Sequence, residues 1–253
     1  MIDIHSHVLP GVDDGARTLE ESVEMLRLAA ASGTTDIVAT PHASPEFTFD
    51  SQRVRSFYRE LSDKCKAFIS LHLGCDFHLS YANLVDALRA PQKYTINQGK
   101  YLMVELPELV AFGSVREGLN QLIRAGITPI ITHPERNMSL QHKRDELLRW
   151  VKDGCLVQVT AQSFLGRFGP AAKNSAEKLM NAELVHFIAS DAHDCVDRTP
   201  DLSAAYKYIS SKYSPERAEL LFISNPFCVL HGEPVSSNLP RESKISTLFA
   251  LSK

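Results

Sequence analysis

No stretch of about 20 apolar residues occurs in this 253-residue chain, which removes a transmembrane helix from consideration. The N-terminal MIDIHSHVLP carries neither a basic n-region nor an apolar h-region, so a secretory leader is not expected and a cytoplasmic location is. There is no Lys/Arg block, and the formal net charge is −3, which argues against a nucleic-acid partner or a nuclease. Cysteine is sparse as well. The five cysteines are odd in number and contain no C-x-x-C pair, which fits neither a disulfide framework nor a thiolate zinc site. A cysteine-dependent phosphatase needs an arginine six positions after its nucleophile. Those positions hold Leu71, Tyr81, Ala161, Asp201 and Pro234, so that mechanism is excluded. What remains, with 44% hydrophobic and 23% charged residues, is an ordinary globular composition with one surplus: ten histidines.

Short apolar runs alternate with amphipathic stretches along the chain. The runs read as strands at Ile2–His5, Ile37–Thr40, Leu71–Asp76, Tyr101–Glu105, Pro129–His133, Leu156–Thr160 and Phe187–Asp191. The first helix has Thr18 as its cap, Glu21 completing a capping box, a Leu19/Val23/Leu26/Ala30 stripe, and Gly33 as its stop. Further helices are expected near 54–68, 115–125, 144–151 and 172–180, and twice after Leu202. Seven strand–helix units without a linker predict an α/β fold in one domain, a closed parallel barrel. An open doubly wound sheet is the alternative, but no Gly-rich phosphate loop follows any strand. The barrel is expected to span 1–231. Residues 232–253, rich in Ser and Pro with one apolar run at Leu248–Leu251, read as a tail.

In such a barrel, chemistry collects at the C-terminal ends of the strands. Strand one runs into His5 and His7, then Asp13 and Asp14. Strand two runs into His42, strand three ends at Asp76, strand four at Glu105 and strand five at His133. Strand seven leads to Asp191 and His193. Half of the histidines thus stand at strand ends; His72, His78, His142, His186 and His231 read as ordinary residues. In His-x-His, alternate strand residues point the same way and can reach one ion together. Four converging carboxylates would repel without cations. Imidazole and carboxylate without thiolate suit Mn²⁺, Fe²⁺ or Zn²⁺. The set is larger than one or two ions need, which points to three. Three divalent ions against four carboxylates would leave a positive centre suited to a phosphate ester.

MIDIHSHVLPGVDDGA, TPH, the strand-end acids, ITHPER and SDAHDCVDR together resemble the polymerase and histidinol phosphatase (PHP) superfamily. Within it the chain is similar to the bacterial tyrosine-protein phosphatases of the CpsB/CapC/YwqE type, through VDDG, HPER and the S-D-x-H followed by Arg198. The resemblance covers about residues 1–230. It implies a distorted (β/α)₇ barrel holding three metals, Mn²⁺ above all, and metal-dependent hydrolysis of phosphotyrosine. His5 and His7 would serve one metal with Asp191, Glu105 and His133 a second, and Asp14, His42 and His193 a third. Asp76 stands where the family has a bridging glutamate, one methylene longer. Arg136 and Arg198 match the family's phosphate-binding arginines, as both catalytic and substrate-binding groups; a guanidinium fork pairs two phosphoryl oxygens at once. The implied partner is the tyrosine-rich tail of a membrane-associated bacterial kinase governing capsule or exopolysaccharide synthesis. A small-molecule phosphomonoesterase and a non-catalytic phosphate- or kinase-binding module are the competing readings. No direct membrane insertion is expected, and oligomeric state cannot be read from the sequence.

Overall fold

The computed structural model describes residues 1–235. Its strands are short and buried on both faces, as β-branched and aliphatic runs in a parallel sheet should be. In chain order they are β1 (Ile2–Ser6), β2 (Asp36–Ala39), β3 (His42–Ala43), β4 (Ser70–Leu73), β5 (Asp76–His78), β6 (Tyr101–Glu105), β7 (Thr128–Thr132), β8 (Leu156–Thr160) and β9 (Phe187–Ala189). All pairings are parallel, in two runs: β1-β2-β4 and β3-β5-β6-β7-β8-β9.

Two breaks separate the runs: one bend falls within the expected strand Leu71–Asp76, the other at the end of the expected Ile37–Thr40, with β3 continuing past it. Thr40-Pro41 divides β2 from β3, and Gly74-Cys75 divides β4 from β5. Hydrogen bonds carry the ladder past both bends, from Gly74 N–H to the Ala39 carbonyl at 2.9 Å and from Asp76 N–H to the Pro41 carbonyl at 3.1 Å. On the other side β1 meets β9. Asp191 N–H donates to the His5 carbonyl at 2.9 Å, and His7 N–H donates to the Ala192 carbonyl at 2.8 Å. Counting each bent pair as one strand, seven strands close into a ring, as expected.

The helices between the strands cover the outside of the ring, and among the described residues three more α-helices follow the last strand. They include α1 (Leu19–Ala31), α2 (Ser51–Cys65), α3 (Tyr81–Arg89), α4 (Phe112–Arg124) and α5 (Arg144–Asp153). They continue with α6 (Ala161–Phe164), α7 (Gly169–Asn181), α8 (Ser203–Lys212), α9 (Pro215–Glu219) and α10 (Asn225–His231). The expected α1 start is present: Thr18 Oγ1 accepts from Glu21 N–H at 3.2 Å. The box differs in its return bond, because Glu21 Oε2 accepts from Arg17 N–H rather than from the cap residue. Gly33, at φ +92°, ends the helix. Helix α3 was not foreseen.

Apolar side chains form two layers. Ile2, Ile4, Val38, Met103, Ile130 and Phe187 pack with one another inside the ring. Met25, Leu26, Ile37, Leu61 and Trp150 belong to the larger layer between strands and helices. Val235 packs against the inner cluster, and the Tyr101 hydroxyl donates to the Glu233 carbonyl, so the start of the expected tail is seated on the barrel. The Leu248–Leu251 run lies outside the described residues. No described helix is long and apolar enough to cross a membrane.

Candidate metal centre

The strand ends converge on one mouth, and the expected residues meet there. His5 Nε2 and His7 Nε2 stand 3.3 Å apart. Asp191 Oδ1 lies 3.5 Å from each of them. Asp76 Oδ2 lies 3.5 Å from His5 Nε2, 3.4 Å from His42 Nδ1 and 4.0 Å from His133 Nε2. Glu105 is 3.8 Å from His133 and 3.7 Å from His42. Asp14 Oδ1 is 3.5 Å from both His42 Nε2 and His193 Nε2.

Three sets offer ligand atoms all within 4.8 Å of one another: His7/Asp14/His42/His193, His5/His7/Asp76 and His42/Asp76/Glu105. His7, His42 and Asp76 each belong to two sets, so the geometry groups the side chains more tightly than a simple three-way partition. A cavity of about 350 Å³ opens over them, lined also by Phe47, His78, Arg136 and Arg198. A larger space of about 620 Å³ lies elsewhere, beside α5 and α7, and none of the three sets is there.

The electrostatics favour ionised carboxylates. Burial alone would raise Asp76 and Asp191, but the surrounding cationic side chains together outweigh it and hold them low: His5, His42 and His133 around Asp76, and His5, His7, Arg198 and Arg136 around Asp191. Asp14 is held low first by its bond to His193. His133 goes the other way: burial, then the nearby Arg136, push it down to about 4. It is a neutral imidazole with a free lone pair near neutral pH.

Burial would also lower His7, yet its bond to Asp13 raises it to about 10. That bond, Nδ1 to Asp13 Oδ2 at 2.8 Å, fixes the His7 ring and leaves Nε2 facing the centre. Gln158 does the same for His5, its Oε1 3.0 Å from His5 Nδ1. Fully buried Asp3 works beneath them: its Oδ1 accepts from His5 N–H and Ser190 N–H, tying the two sides of the β1/β9 seam. The glycine of VDDG has a steric reason, since a Cβ on Gly15 would stand 2.0 Å from the His7 carbonyl oxygen.

Arg136 and Arg198 both donate to Asp191 Oδ2. Arg136 also lies over the Phe168 ring, 4.3 Å from its centroid. Its neighbour Glu135 is fully buried and anchors the loop to Thr160 N–H and the Ser163 hydroxyl. His133 and Asp191 have positive φ, +33° and +53°, a strained conformation for non-glycine residues at two of the converging strand ends.

Sequence reasoning did not identify the supporting roles of Asp3, Asp13, Glu135 and Gln158. His78, read as ordinary, borders the mouth 3.8 Å from Glu105. His186 and His231 are ordinary, as expected: each bonds backbone away from the site.

The donor set fits divalent cations. Asp76 Oδ2 and His42 Nδ1 are buried and have no hydrogen-bond partner, which is costly unless something else satisfies them. No thiolate competes; Cys75, next to Asp76, is fully buried, and burial pushes its thiol up.

Known proteins share this framework. The tyrosine-protein phosphatase YwqE of Bacillus subtilis is 32% identical, over 98% of this chain and 99% of its own. The tyrosine-protein phosphatase CpsB of Streptococcus agalactiae serotype III is 30% identical, over 91% and 98%. A crystal structure from work on YwqE of B. subtilis and CpsB of Streptococcus pneumoniae, described as unique metal-dependent tyrosine phosphatases, superposes with a TM-score of 0.87. It is 28% identical and covers 95% of this chain and 98% of that one. Histidinol phosphate phosphatase of Lactococcus lactis, with zinc, L-histidinol and phosphate, shares the fold at a TM-score of 0.59 and 11% identity, covering 87% and 94%. The family described as "Capsular polysaccharide synthesis, CpsB/CapC" matches residues 1–231, and the chain belongs to that family.

Proposed function

We propose that this protein is a metal-dependent protein-tyrosine phosphatase acting on a phosphotyrosine-bearing bacterial kinase in capsule or exopolysaccharide synthesis. One observation carries the reading: a buried, unpartnered carboxylate oxygen, Asp76 Oδ2, within 4.0 Å of three imidazoles at a mouth that also holds two arginines. Relatives at 30–32% identity named as tyrosine-protein phosphatases support it.

His5, His7 and Asp191 would hold one of three divalent ions, Glu105 and His133 a second, and Asp14, His42 and His193 the third, with Asp76 between them. The imidazole and carboxylate donors suit Mn²⁺, Fe²⁺ or Zn²⁺, and the family resemblance favours Mn²⁺ among them. Cations bound there supply Lewis acidity, favouring water as a nucleophile and offsetting charge on the phosphoryl oxygens.

The chain's own groups do the rest. Arg136 and Arg198 turn from Asp191 to the phosphoryl oxygens, and their fixed forks orient phosphorus and stabilise the charge that develops on it. The ring of Phe168 holds Arg136 in place. Water oxygen bonds to phosphorus, its proton passing to solvent, as the bond to the tyrosyl oxygen breaks. The leaving phenolate, with a pKa near 10, departs without a dedicated acid and takes its proton from solvent.

Residues 1–231 form the catalytic unit in this reading, and 232–253 an appendage. Five unpaired cysteines suit a reducing cytoplasm. The test compares phosphotyrosyl peptides with histidinol phosphate and other alkyl phosphates. Faster turnover of the peptides is expected; faster turnover of the small alkyl esters would favour a metabolite phosphatase instead.

A further inference from the structure

A second cavity, about 500 Å³, lies between the first turns of α3 and α4 on the same face of the barrel as the metal centre. Its lining is mostly apolar, with Leu79, Leu84, Pro107, Leu109 and Val115 among its walls; Ser80, Ser114, Glu117 and Gln121 supply the polar part. Leu109 and Tyr81 on its rim are 89% and 84% exposed, unusual for large apolar side chains.

The two cavities share a wall. In the segment after β6, Leu106 and Glu108 face the metal-centre cavity, whereas Pro107, Leu109 and Ala111 face the groove. The end of β5 and the segment after it divide likewise: His78 borders the first cavity and Leu79, Ser80 and Tyr81 the second. A polypeptide with its phosphotyrosine at the metal centre would therefore have the groove next to it. In an extended peptide, successive side chains diverge, so one residue can enter each cavity. A free amino acid or small metabolite could not reach both.

We propose that this groove is a substrate subsite that receives an apolar side chain, such as leucine, within a few residues of the phosphotyrosine. The inference rests on the phosphatase reading above and adds that the enzyme recognises sequence around the phosphorylated tyrosine. Leu109 supplies an exposed apolar contact, and the Val115/Gly118 face of α4 forms the floor. A Cβ added at Gly113, which lines the groove, would meet nothing within 4 Å, so a bulky side chain can be placed at its edge without displacing the helix.

The experiment uses the full chain with Mn²⁺ and measures kcat/KM for p-nitrophenyl phosphate and for phosphotyrosyl peptides. The peptides place leucine, glycine or aspartate at each flanking position in turn. At one or more positions, leucine should exceed glycine and aspartate by roughly tenfold, mainly through KM. Leu109→Asp and Gly113→Phe should each remove that preference while leaving p-nitrophenyl phosphate hydrolysis within about twofold of the parent. Equal turnover of all phosphotyrosyl peptides, or equal losses on peptides and p-nitrophenyl phosphate in both variants, would overturn the subsite alone. Hydrolysis of alkyl phosphates with none of any phosphotyrosyl peptide would overturn the subsite and the phosphatase reading together.

Discussion

Arg198 Nη2 donates to Asp191 Oδ2 at 2.6 Å, while the other oxygen of the same carboxylate faces His5 and His7. Arg136 donates to Oδ2 as well, so one buried aspartate couples the two guanidinium groups to the histidine cluster. This arrangement holds both arginines at the mouth on a single carboxylate, which offsets only part of their charge until an anion competes for them. Arg198→Ala and Arg136→Ala should each weaken inhibition by inorganic phosphate about ten- to a hundredfold, the size of a lost charge-assisted hydrogen bond. Bound metal should stay the same by elemental analysis. Phosphate inhibition unchanged in both variants would remove the assigned role.

Asp76 gathers His5, His42 and His133 around one carboxylate oxygen. Asp76→Asn preserves shape and removes the charge. Metal affinity should drop at least tenfold, and activity should recover in part at high Mn²⁺. A variant that retains full metal content after dialysis would show that Asp76 is not a ligand.

Gly15 is required by close approach to the His7 backbone rather than by a positive φ. Gly15→Ala should destabilise the protein by roughly 3 kcal/mol or more, because the obstruction is backbone and cannot swing aside. Thermal unfolding checks this. A variant as stable as the parent would mean that the VDDG loop is free to move.

His186 gives a pH dependence away from the metal centre. It is fully buried, its Nδ1 accepts from Val157 N–H at 3.2 Å, and burial lowers its pKa to about 4. Unfolded, it titrates near 6.5. Between those values the unfolded chain holds a proton that the folded chain does not, so stability falls as pH drops from 6.5 to 4. This group accounts for about 3 kcal/mol of that loss. His186→Asn keeps an acceptor for Val157 and cannot titrate, so denaturant midpoints should fall less steeply over this range than in the parent. Identical pH profiles would contradict the assignment.

The strands were legible because segments buried on both faces leave unbroken runs such as ITPIITH. The ends of six of the seven, all but Leu156–Thr160, were legible because a metal-capable residue stood at or just after the end of the run. The bends at Thr40-Pro41 and Gly74-Cys75 were not, since a broken ladder depends on the register of neighbouring strands. Helix α3 covers only Tyr81–Arg89, too short a window for periodicity to stand out. In the site, His5, His7 and the acids could be found from position alone. Their partners could not. Gln158 is 153 residues from His5, and only ring closure brings them together. Asp3 looks like one more polar residue in a strand until the β1/β9 seam shows which amides it satisfies.

Cations held by the strand-end cluster, not a cysteine thiolate, should support phosphate ester hydrolysis. The most direct measurement is p-nitrophenyl phosphate turnover by the purified chain before EDTA, after EDTA, and after Mn²⁺ is restored, with a parallel sample treated with iodoacetamide. Loss of activity with chelation, recovery with Mn²⁺ and no more than a small effect of alkylation are expected. Full activity in EDTA, or abolition by alkylation alone, would contradict this mechanism.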